Sequence, residues 1–138
     1  MGIHMQTLFE LKTKHTVDMA VFEQMKKTAE TNLSKAETGQ YTQAVVLLSA
    51  KGNAYSTLIK NALSEEMADE TALLKRIKNL NDTEIRYALC LWQDGNLDVP
   101  SYRFRHLLCT LNPKNIELIL FVMTADGVSG IKVSTTMK

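Results

Sequence analysis

Three strongly apolar runs, broken only by Ser49, Arg86 and Glu117, constrain this chain more than any other feature: "AVVLLSA" at 44–50, "IRYALCLW" at 85–92 and "IELILFVM" at 116–123. Branched residues fill them. A strand with one wet face alternates apolar and polar side chains, whereas a run with no polar side reads as a strand covered on both faces. The segments between them have a different period. Phe22, Met25, Ala29 and Leu33 step by three, four and four, so 16–37 reads as a helix, with Thr16 as its N-cap and Gly39 as its stop. Lys51-Gly52 supplies turn chemistry and "NAYSTLI", 53–59, a second strand, so 44–59 reads as a hairpin. Ser64 is read as the cap of a helix running to about Leu80, with Glu65 and Glu66 in its first turn. Pro100 opens another helix, with Phe104, Leu107, Leu108 and Leu111 as its buried stripe and Asn112-Pro113 as its end. "TLFELK", 7–12, reads as a short edge strand, and "IKVSTTM", 131–137, closes the sheet. The order predicts an α/β fold: a three-layer α/β/α sandwich around a mixed five-stranded sheet.

The bulk properties narrow the function. A chain of 138 residues, 45% of them hydrophobic, fits one packed core. "MGIH" at 1–4 reads as a cloning remnant, leaving 5–138 as a single domain. Sixteen basic residues against 15 acidic leave a net charge of +1, too little to point to nucleic acid or a membrane as partner. Cys90 and Cys109 form no C-x-x-C pair and no disulfide framework, so the expected setting is reducing and cytoplasmic. No apolar run approaches the roughly 20 residues of a membrane span, and the N-terminus has no signal-peptide core.

Short stretches carry more. "YTQAVVLLSAKG", 41–52, follows without gaps the pattern F-x-V-G-A-A-L-L-x-x-D-G, and "NA" at 61–62 the end of N-x-E-N-A. "MADETALLK", 67–75, follows C-A-E-R-T-A-x-x-K at Ala68, Thr71, Ala72 and Lys75. "VPSYRFRHLLCTLNP", 99–113, follows S-P-C-G-x-C-R-Q-x-L-x-E-F-x-P at Pro100, Arg105, Leu108 and Pro113. Ser101 follows Met67 by 34 positions, the spacing between the first and second cysteines of those patterns. In order and spacing, the chain from about 7 to 137 resembles the cytidine deaminase family.

That resemblance implies a function and at once removes its chemistry. Zinc-dependent deaminases hold one Zn²⁺ at two helix N-termini, keep one position open for water and use a glutamate two residues after the first ligand to shuttle protons. Carried over by position, the ligands fall on Met67, Ser101 and Phe104, and the proton shuttle on Asp69. A thioether is a poor Zn²⁺ ligand, a neutral hydroxyl a worse one and a phenyl ring none. The pocket positions fall on Tyr41, Leu58, Lys60 and Asn61, with Leu58 and Lys60 where the family holds the ribose. The family's arginine after C-A-E becomes Glu70. The expectation is a cytidine deaminase-like chain without zinc or other cofactor, catalytically inactive, forming a homo-oligomer (dimer or tetramer) and binding a nucleoside or nucleotide. The alternative is a working cytidine deaminase with unrecognised metal ligands. His106 and Cys109 share a helix face at a spacing suited to two of them, with no third in view. On the bland reading, Met67 and Phe104 fill core space, Asp69 is an ordinary first-turn carboxylate, His106 lies on the surface and Cys90 packs in a strand.

Overall fold

A computed structural model describes residues 14–35, 37, 39 and 41–137. The elements are β1 (Lys14–His15), α1 (Met19–Lys35), β2 (Gln43–Ser49), β3 (Ala54–Ile59), α2 (Ala68–Asn79), β4 (Ile85–Trp92), β5 (Leu97–Asp98), α3 (Tyr102–Leu111), a 3-10 turn (Pro113–Glu117), β6 (Ile119–Thr124), β7 (Gly127–Lys132) and α4 (Val133–Thr136). They form one sheet in the order β1-β7-β6-β4-β2-β3, with β5 beside β4. Among the described strands only β4 and β6 run parallel, joined by the crossover through α3; the other pairs are antiparallel. The five longer strands are the expected mixed sheet, and two two-residue strands, β1 and β5, add to it.

Layering explains the apolar runs. Along β2, Ala44 and Val46 face α1, where they meet Phe22, Met25 and Ala29. Val45 and Leu47 face the other way, toward Leu73, Leu74 and Ile77 of α2 and Phe104 and Leu108 of α3. Both faces are dry, so neither set of alternate positions is polar. Under α1, Phe121 takes Phe22 edge-on at 5.2 Å and stacks on Tyr87 at 5.3 Å. Gly130 marks a tight crossing: a Cβ there would lie 2.5 Å from Ile119 Cγ2 and 2.8 Å from Val17 Cγ1.

Several boundaries differ from the sequence reading. Asp18, not Thr16, caps α1, its carboxylate accepting from the Ala20 and Val21 amides at 3.0 and 3.3 Å. That helix is described to Lys35, and Glu37 already lies outside it, ahead of Gly39. Ser64 does not cap α2; its Oγ accepts from the Glu66 amide in a local turn, and the helix begins at Ala68, so Asp69 and Glu70 occupy its first turn instead of Glu65 and Glu66. Pro100 precedes α3, and Ser101 is the cap. Asn112 ends α3 and also caps the 3-10 turn, which takes the residues through Glu117 and delays β6 to Ile119. The closing strand, expected at 131–137, instead runs Gly127–Lys132, taking up most of the segment read as a turn, and 133–136 coil into α4. The strand expected at 7–12 lies outside the described residues.

Candidate functional site

Two helix starts meet on the α2–α3 face of the sheet. After β3 the chain turns at Lys60–Asn61. The Asn61 side-chain carbonyl accepts from the Leu63 amide at 3.0 Å, and the Ser64 turn follows. These local bonds deliver Met67 in a left-handed conformation, φ 53° and ψ 40°, with no side-chain cap. For a residue other than glycine, this backbone costs about 1–2 kcal/mol. Burial of the Met67 side chain, only 8% exposed, in the core cluster that holds Phe104, offsets that cost. Arg103, in the first turn of α3, donates to the Glu65 carbonyl at 3.3 Å and ties the two starts together.

The three ligand positions are thus brought to this junction, each with another occupation. Met67 and Phe104 (1% exposed) pack into the apolar core. Ser101 Oγ accepts from the Phe104 amide at 3.2 Å and caps α3. A core methionine, a capping hydroxyl and a phenyl ring do not fit Zn²⁺. Among the described residues, no three His, Cys, Asp or Glu side chains gather as a metal cage. His106 is exposed, and Cys109 is half-buried, its thiol pushed up by burial.

Asp69 is engaged as well. Its Oδ2 accepts from the Lys60 amide at 3.0 Å, fastening the exit of β3 to the first turn of α2. Beside it, Glu70 is only 5% exposed. Burial pushes its carboxyl above the usual carboxylate range, its own amide pulls the other way, and Asp69 adds repulsion. What stays open at the junction is a hollow of about 200 Å³ lined by Met67, Tyr102, Arg103, His106 and Leu107.

The pocket positions do not all converge. Strand alternation turns Leu58 toward the α1 cluster, on the opposite face from Met67, so Leu58 is removed from the candidate pocket. Lys60 is exposed, with its amide given to Asp69. Tyr41 is exposed and its carbonyl accepts from the Ala62 amide at 2.8 Å, so Tyr41, Lys60 and Asn61 lie around one turn beside the start of α2. Arg105 leans over the Tyr102 ring and donates to the Pro100 and Thr136 carbonyls at 3.0 and 3.3 Å, anchoring α4 to α3.

A polar centre at the other end of α2 escaped the sequence reading. Asp82 Oδ2 accepts from Ser49 Oγ at 2.9 Å, Asn53 Nδ2 at 2.9 Å and Tyr55 Oη at 2.6 Å. Burial works against its charge, but these donors and nearby Lys51 outweigh it and hold the carboxyl below its ordinary value. The same bond to Asp82, with burial second, raises the Tyr55 phenol. Its partners come from the β2–β3 hairpin, and no spacing in the sequence links them to the loop after α2.

No family model matches the sequence, and no curated protein matches it. Solved structures do. The cytidine deaminase of Mycobacterium leprae superposes with a TM-score of 0.62 at 17% identity, covering 84% of this chain and 96% of that one. The Bacillus anthracis cytidine deaminase gives 0.63 at 10% identity over 84% and 86%. The Mycobacterium tuberculosis cytidine deaminase gives 0.61 at 12% over 88% and 94%. At such identities what is shared is architecture: this chain has the cytidine deaminase-like α/β fold.

Proposed function

We propose that this protein is a cytidine deaminase-like pseudoenzyme, keeping the fold for binding and assembly rather than hydrolysis. One observation carries the reading: every position that would hold or serve a metal has another structural task. Met67 and Phe104 are core, Ser101 caps α3 and Asp69 holds the Lys60 amide. Without a metal, a lone carboxylate does not generate hydroxide at neutral pH. The hollow beside Met67 offers an apolar wall that includes Tyr102, a surface suited to a flat base. A homo-oligomer is the expected assembly state.

Elemental analysis and an ammonia-release assay with cytidine test this together. The expected result is no stoichiometric zinc and no sustained turnover, with a thermal shift on adding cytidine or a cytidine nucleotide and a mass above the monomer's. Ammonia release that a chelator stops and Asp69→Ala abolishes would establish instead the working deaminase with ligands not recognised in the sequence.

A further inference from the structure

Beyond the α2–α3 junction, the two helices run side by side in the same direction and leave a groove between them of about 420 Å³. Its floor is aliphatic: Leu74 from α2, Leu107 and Leu111 from α3. Lys75 and Lys78 stand exposed on its α2 wall, Thr71 and Thr110 complete the rim, and Arg103 and His106 lie one turn nearer the helix starts. The carboxylates of α2 are Asp69 and Glu70, both in its first turn and the second buried; α3 carries none. Among the described residues, the ion pairs join Lys114 to Glu84 and Lys132 to Glu117, leaving both groove lysines outside them.

We infer that this groove docks an acidic amphipathic helix of a different protein. Charge complementarity selects the occupant. A second copy presenting the same face would set Lys75, Lys78 and Arg103 against their own equivalents, a like-charge arrangement that disfavours pairing. A lipid surface is flat and calls for protruding apolar side chains, whereas these leucines lie at the bottom of a slot. A slot with an aliphatic floor and cationic rim matches a helix with leucines at i, i+3/4 and i+7 flanked by glutamates. The α2 wall from Thr71 to Lys78 runs about 10 Å, enough for about two turns of such a helix and for its i to i+7 leucines.

The probe is a synthetic peptide of about 18 residues with that pattern, titrated into the full chain while amide shifts are followed by NMR. Controls are its sequence scramble, a version with lysine in place of every glutamate, and vesicles of phosphatidylcholine and phosphatidylserine. The expected result is shifts confined to the Leu74–Lys78 and Leu107–Leu111 stretches, produced by the acidic peptide alone. About tenfold weaker binding is expected in high salt and in Lys75→Glu/Lys78→Glu, whose exposed positions leave the fold intact. No shifts with the acidic peptide, equal binding of scrambled or lysine peptide, preference for the vesicles, or groove shifts that grow with protein concentration and mark self-association would each overturn the inference.

Discussion

At each end of α2 a residue other than glycine adopts a left-handed backbone, Met67 with φ 53° before it and Asn81 with φ 55° after it. Asparagine tolerates that region; methionine does not. At the Asn81 end the surroundings are polar and satisfied: Lys51 Nζ donates to the Asn81 carbonyl at 3.1 Å, and Asp82 gathers its three donors. At the Met67 end the side chain packs into the apolar core cluster that holds Phe104, beside the open hollow. A strained backbone thus sits at the end where the deaminase resemblance places a metal ligand, and hydrophobic packing holds it. The polar chemistry is gathered at the opposite end, where it serves the hairpin.

If packing holds the Met67 end and hydrogen bonds hold the other, truncations at the two ends differ in size. Phe104→Ala empties a fully buried ring position, and urea unfolding is expected to show a loss of about 3–5 kcal/mol. A loss below about 1 kcal/mol would mean that the junction collapses around the void and the core-filling account fails. Asp82→Ala strands Ser49, Asn53 and Tyr55 as donors, for an expected loss of about 2 kcal/mol, softened by water in the open depression above it. A larger effect for Asp82→Ala than for Phe104→Ala would reverse the comparison.

How much of this was legible in sequence depended on how far each partner lies along the chain. β4 was read to the residue, because a strand dry on both faces announces itself. The start of α2 was misread because Ser64 bonds a nearby amide in its local turn much as an N-cap would. The face that Leu58 takes is not written in the sequence, because only the sheet fixes which alternate set meets α1. Met67, Ser101 and Phe104 were placed by position, and the inward stripes of their helices already marked Met67 and Phe104 as core; only the capping task of Ser101 needed the structure. Asp82 was invisible, since its donors sit 27 to 33 residues away. The burial of Glu70 was not legible, because only the packing fixes which side of the first turn of α2 is covered.

Those two carboxyls give the finest test of the comparison, because they are shifted in opposite directions. Asp82 is held below its ordinary value, so its contribution to stability is present above the unfolded-state pKa and is lost as pH falls through the folded one. Glu70 is raised, so its contribution is present below the unfolded-state pKa and is lost as pH rises through the folded one. Asp82→Asn is therefore expected to lower the thermal midpoint at neutral pH and to approach the parent protein in acid. Glu70→Gln is expected to raise it slightly at neutral pH, where the parent must hold a buried charge beside Asp69, with the gain shrinking in acid. The Glu70 effect is the smallest predicted here, since the side chain's own amide already compensates part of the burial. A lower midpoint for Glu70→Gln at neutral pH would show that the ionised carboxylate holds the start of α2 together, and the N-terminal end would then rest on charge as well as packing.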